Sequence, residues 1–173
     1  MRKRNIDAPI LPETKLNMNN YALKEKMRTV VAMHCEQGQI HTTNTPNFPT
    51  RKEKQPGGVA TLLRGNHMTR FAGSENDPAG RWTVSRFYGR KNQLKMYSLY
   101  RVCVGSKKSG DTTAWIQQYN HFRKRHNKVV DPRKQVVKDI AQHLEKDIAS
   151  GDEIILCGDF MRILKERTAF TKN

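Results

Sequence analysis

Acidic residues are scarce in this chain. Sixteen Asp and Glu stand against 32 Lys and Arg in 173 residues, a formal charge of +16 with histidine neutral. From Pro78 to Gly110 there is no acid at all, while Arg81, Arg86, Arg90, Lys91, Lys95, Arg101, Lys107 and Lys108 fall in that stretch. Cysteine is almost as sparse. Cys35, Cys103 and Cys157 are far apart and odd in number, which excludes a disulfide framework and a CxxC zinc site and points to a reducing, intracellular setting, nuclear or cytoplasmic. No run approaches the ~20 apolar residues of a membrane span, so no membrane partner is expected. The basic start Met-Arg-Lys-Arg-Asn is followed by no apolar stretch, which argues against a secretory signal. The Gly-Ser-Lys-Lys-Ser-Gly-Asp run at 105–111 lacks P-loop spacing.

The surplus of cations is the first positive sign of function. A positive field of this size draws polyanions and speeds their encounter, and phosphate neutralisation supplies most non-specific affinity for nucleic acid. DNA or RNA, held through its phosphate backbone by the eight cations between 81 and 108, is therefore the expected partner. The length suits one domain over 1–173.

Apolar periodicity alternates between helix and strand. A short strand is expected over Asn5–Leu11 and a helix over Tyr21–Gln37, capped by Asn20, with Leu23, Met27, Val30, Val31 and Cys35 on one face. Strands are expected at Gln39–Thr43, Gly58–Arg64 and His67–Phe71, with a turn over Ser74–Gly80. Arg81–Tyr88 and Gln93–Val102 read as a hairpin. In its second strand Leu94, Met96, Ser98 and Tyr100 share one face, and Lys95, Tyr97, Leu99 and Arg101 the other. Thr112–Arg125 reads as a helix with Trp115, Tyr119 and Phe122 as its core stripe. Asp131–Ser150 reads as a helix capped by Asp131, with Pro132 at its first position and Val136, Val137, Ile140, Leu144 and Ile148 on its buried face. A strand over Glu153–Leu156 delivers Cys157-Gly158-Asp159-Phe160 to its carboxyl end, with Cys157 expected as an inert buried thiol. The class is α/β: a sandwich with a mixed, largely antiparallel sheet flanked by helices.

Three polar residues fall at the ends of these strands: Glu13 after Leu11-Pro12, Tyr100 in Leu99-Tyr100-Arg101, and Asp159 in Gly158-Asp159-Phe160. Strand-end carboxylates gathered at one sheet edge suit a hydrated Mg²⁺, which takes one or two carboxylates and leaves positions for water and phosphate.

These segments, in order, resemble the endonuclease/exonuclease/phosphatase family with its DNase I-like α/β sandwich. Leu11-Pro12-Glu13-Thr14 resembles the strand whose glutamate binds the metal, and Pro56-Gly57-Gly58-Val59-Ala60 the Gly-Gly-Val strand. Leu94–Arg101 resembles the strand whose tyrosine faces the substrate phosphate. Asp131 through Ile140 resembles the long helix, and Gly158-Asp159-Phe160 the Gly-Asp-Phe-Asn motif. Tyr100–Cys103 and Asp77–Trp82 are similar to segments of the retroelement-type endonuclease branch. The resemblance implies a Mg²⁺-dependent phosphodiester hydrolase acting on nucleic acid, with Glu13 on the metal and Tyr100 and Asp159 as catalytic residues. It also implies an incomplete catalytic set. Met161 stands where the family has asparagine, and no histidine follows a Ser-Asp pair. A truncated domain with weak or absent metal binding is expected. The alternative is a non-catalytic nucleic-acid-binding protein on the same scaffold.

Overall fold

A computed structural model describes residues 7–46, 52–105, 113–126 and 129–159. The elements run β1 (Ile10–Pro12), α1 (Tyr21–His34), β2 (Gln39–Thr43), β3 (Val59–Leu63), a 3₁₀ segment (Gly65–Arg70), β4 (Phe71–Asn76), β5 (Trp82–Tyr88), β6 (Gln93–Tyr100), α2 (Ala114–His126), α3 (Pro132–Ala149) and β7 (Glu153–Asp159). Two sheets form, ordered β1-β3-β2 and β4-β5-β6-β7. The pairings are antiparallel except for β7, which runs parallel to β6. The architecture is thus mixed α/β, two sheets flanked by helices, as the alternation of elements predicts.

Alternation along β6 fixes the layers. Tyr97 and Leu99 project to one face and pack with Trp82, Val84, Val136 and Ile140 beneath α3. Met96, Ser98 and Tyr100 project to the other face, toward the first sheet. There the Thr61 hydroxyl lies 2.8 Å from that of Thr83 and 2.7 Å from that of Ser98. This fully buried hydroxyl cluster joins the two sheets, each group satisfying another, so its burial avoids the cost of an unpaired polar group. Val59, Tyr100 and Val102 pack against Ala114, Trp115 and Tyr119 of α2. Trp115, Tyr119 and Phe122 are buried as expected, the first two stacked at 5.3 Å.

Several boundaries differ from the expected ones. The first strand is confined to Ile10–Pro12, and residues 5 and 6 lie outside the described part. His67–Phe71 is mostly the 3₁₀ segment, and the following Phe71–Asn76, expected in part as a turn, is a bulged edge strand. β7 is longer than expected and carries Asp159 as its last residue. Helix α3 is capped by Asp131, whose carboxylate accepts from the Arg133 N–H, with Pro132 at its start. Its inward stripe ends on Asp147 rather than Ile148, and Val137 and Ile148 are exposed. Asn20 caps α1 as expected, but Val30 points outward and the helix has no fully buried residue. Cys157 is half-buried and Cys103 exposed. No described helix is long and apolar enough to cross a membrane.

Candidate functional site

The three strand-end residues converge. Tyr100 and Asp159 are partners in the parallel pairing of β6 and β7. Residues opposite each other in a ladder share a face, so both look toward the first sheet. Glu13 comes from that sheet, one residue past β1. The Tyr100 phenol is buried, and burial pushes its pKa well above the usual tyrosine range. The Glu13 charge, Cys103, a hydrogen bond with Glu13 and the Asp159 charge push the same way. Tyr100 is therefore a neutral hydrogen-bond donor at physiological pH, flanked by two carboxylates.

The Glu13 loop is held by unusual backbone geometry. Glu13 and Lys15 both have left-handed φ, 54° and 56°, at a cost of about 1–2 kcal/mol each for non-glycine residues. Cross-links to the Gly57-Gly58 turn hold it in place. The Thr14 N–H donates to the Gly58 carbonyl at 3.2 Å, and the Lys15 N–H to that of Gly57 at 3.0 Å. Gly58, at φ +85°, permits this approach, since a Cβ there would lie 2.7 Å from the Thr14 hydroxyl and 2.5 Å from the Asn44 amide nitrogen. Strain overridden by surrounding contacts is what a positioned functional loop shows.

Beside this loop opens a cavity of about 450 Å³. Glu13, Tyr100 and Cys103 line it together with Lys15, Lys54 and Trp115. The Lys15 ammonium is 3.8 Å from the Glu13 carboxylate and mostly solvated, so it remains available to an incoming anion. Lys54 lies close by through the Leu16–Lys54 bridge. Sequence reasoning passed over both lysines. The available signals were the position of Lys15 two residues after Glu13, and that of Lys54 just before the Pro56-Gly57-Gly58 turn.

The cations expected to bind phosphate are placed unequally. The Arg81 side chain is 4% exposed and bound to two carboxylates. Its Nε and Nη2 reach Asp77 at 2.7 and 2.8 Å, and its Nη1 reaches Asp139 at 2.7 Å. Its guanidinium also lies 4.3 Å from the centre of the Trp82 ring. Lys95 is held by Asp147 at 2.8 Å and Asp152 at 2.7 Å, and Arg86 by Glu75 at 3.0 Å. Arg101 is buried, its Nε directed at the Arg133 carbonyl at 3.4 Å. Arg90 and Lys91 are exposed in the β5–β6 turn, at the opposite end of β6 from Tyr100. Lys107 and Lys108 lie outside the described residues, as do Phe160 and Met161. The acid-free run thus includes cations that the fold neutralises with acids from other segments, Asp139, Asp147 and Asp152 among them.

Among the described residues no group of three or more His, Cys, Asp or Glu side chains is placed to hold a metal ion, and no histidine lines the cavity. The chain matches no protein-family model and no curated protein.

Proposed function

We propose that this chain carries a phosphodiesterase-type site for nucleic acid, in which Glu13 and Asp159 hold a hydrated Mg²⁺ and Tyr100 receives the phosphate. The observation that carries this reading is that carboxylates from both sheets, Glu13 in the same cavity and Asp159 paired across β6 and β7, act on the one buried Tyr100 phenol. Two carboxylates suit Mg²⁺, which fills its other positions with water and phosphate oxygen. When bound, the ion would polarise the phosphoryl oxygen and stabilise charge on the leaving oxygen. The chain's own groups bind and orient. The single proton of the Tyr100 hydroxyl would turn from Glu13 to a phosphate oxygen once Glu13 is on the ion, Lys15 and Lys54 neutralise flanking phosphates, and the apolar walls of the cavity shield the contact from water. Three unpaired cysteines fit a reducing intracellular compartment.

A non-catalytic binding protein is the second reading. It is favoured by the absence, among the described residues, of a histidine or third metal ligand at the cavity. A missing acid–base group costs roughly 10²–10⁴-fold, so this chain alone binds nucleic acid and cuts it poorly. Nicking of supercoiled plasmid in Mg²⁺, wild type against Asp159→Ala, separates the two readings. Nicking by the wild type that the substitution abolishes would establish an active nuclease. Binding to labelled DNA without nicking supports the second reading. No binding to DNA or RNA at low salt sinks both.

A further inference from the structure

We propose that Lys95, with Asp147 and Asp152, acts as a register clamp that places Asp159 opposite Tyr100. This role rests on the site reading above only for its functional consequence.

The problem that the clamp solves is specific to β7. This strand runs parallel to β6 at the sheet edge, so no tight hairpin turn fixes its alignment. Ile154 packs against the core beneath α3, but Ile155 and Leu156, on opposite faces, are both substantially exposed, so side-chain burial specifies register only through one residue. A slip of one residue would turn every side chain over. Asp159 would leave the face it shares with Tyr100 and point to the side covered by α3.

Contacts at the start of the strand prevent this. The Lys95 ammonium bridges Asp147, on the last turn of α3, and Asp152, in the link to β7. Burial works against its charge, but hydrogen bonds to Asp147 and Asp152 outweigh that and raise its pKa. Asp152 also accepts from the Gln93 N–H at 3.1 Å, and the Asn92 side chain donates to the Gly151 carbonyl at 2.6 Å. The Tyr97 hydroxyl donates to the other oxygen of Asp147, fixing the end of α3 on the same strand. At the far end a second feature permits one alignment. A Cβ on Gly158, at φ +147°, would lie 2.0 Å from the Leu99 carbonyl oxygen, so in this geometry glycine is required opposite Leu99. The clamp and Tyr100 are five residues apart, about 17 Å along β6. Lys95 is therefore a positioning residue that never touches the phosphate.

Cross-strand backbone NOEs between β6 and β7 test this directly, in the wild type, Lys95→Met, Lys95→Arg and Asp152→Ala. The wild type and Lys95→Arg should show the Ser98–Cys157 and Tyr100–Asp159 pairings, and Lys95→Met should lose or shift them. Asp152→Ala, which removes one of the two carboxylates and leaves Asp147 on Lys95, should do so in part, and it decides the matter if Lys95→Met does not fold. Unchanged pairings in folded Lys95→Met, or in Asp152→Ala when Lys95→Met is unfolded, would overturn the proposal. Mn²⁺ affinity is the functional readout. It should fall about 10–100-fold in Lys95→Met, the usual scale for losing a group that orients a metal ligand, and recover in Lys95→Arg. Shifted pairings with unchanged Mn²⁺ affinity would leave the clamp standing and remove the site reading instead.

Discussion

Glu13 from the first sheet and Tyr100 from the second line one cavity, and the Glu13 charge acts on the Tyr100 phenol, so the two sheets meet at the candidate site. The phenol is almost fully buried while Glu13 is partly solvated. Removing the hydroxyl therefore leaves no buried charge behind. Tyr100→Phe should cost at most about 0.5–1.5 kcal/mol of stability, the net value of one hydrogen bond. Its affinity for DNA in Mg²⁺ should fall by more than its stability loss explains. Urea unfolding and fluorescence anisotropy on the same preparation check both. An unchanged affinity would remove Tyr100 from the phosphate site.

His41 gives the fold a pH dependence. Its ring stacks on Phe71 at 5.0 Å, its Nδ1 lies 2.9 Å from the Ser74 hydroxyl, and its Nε2 is buried with no hydrogen-bond partner among the described residues. Burial, and then the Arg28 charge, hold its pKa below the ordinary 6.5. The neutral ring is thus favoured in the folded state, and below pH 6.5 the unfolded chain takes up the proton first. The stabilising contribution is complete above pH 6.5 and is lost as pH falls toward the folded-state value. One such group changes stability by at most about 1.4 kcal/mol per pH unit. Urea midpoints should drop between pH 7 and pH 5, and His41→Phe, which keeps the stack, should flatten that drop.

Arg81 and the Arg90–Lys91 turn separate internal from surface charge. Arg81→Met leaves Asp77 buried without its cation, and breaking such a pair costs about 3–5 kcal/mol. The double substitution Arg90→Ala, Lys91→Ala removes two exposed charges and should change stability by less than about 0.5 kcal/mol. Denaturant unfolding reads the contrast. Equal losses for the two variants would show that Arg81 contributes no more to the fold than an exposed cation.

Local rules reached some elements and not others. Helix α3 was legible because Asp131, Pro132 and the Val136–Ile140 spacing agree on one start and one face. The faces of β6 were legible because alternation does not depend on what the strand meets. Strand β4 was not, since Phe71-Ala-Gly-Ser-Glu-Asn has no apolar alternation and forms by pairing with β5 at an edge. The same limit hid the fate of the cations. Asp139 is 58 residues from Arg81 and Asp147 is 52 from Lys95, so cations in a run without acids along the chain can be neutralised across the fold. Glu13, Tyr100 and Asp159 could be singled out as strand ends. Lys15 and Lys54 needed the geometry, because their importance comes from the loop between β1 and α1 zipping onto the residues before β3.

The strained loop makes its own prediction. Lys15 holds a left-handed φ of 56° that glycine adopts freely. In Lys15→Gly the relief of about 1–2 kcal/mol is offset by the greater freedom of glycine in the unfolded chain, about 0.4–1 kcal/mol. Stability should therefore hold or rise slightly, where glycine elsewhere in ordered backbone lowers it. The same change removes a cation beside Glu13. If five or six phosphates are neutralised by the wild type, log affinity for duplex DNA should fall against log salt with a slope of about −5. Losing one phosphate contact should make that slope shallower by about one. Lys15→Ala supplies the control, since it loses the same charge and keeps the strain. Both variants should share the shallower slope, with the glycine variant the more stable of the two. A wild-type slope in both would mean that Lys15 takes no phosphate. An alanine variant as stable as the glycine variant would mean that the left-handed turn at Lys15 carries no strain to release.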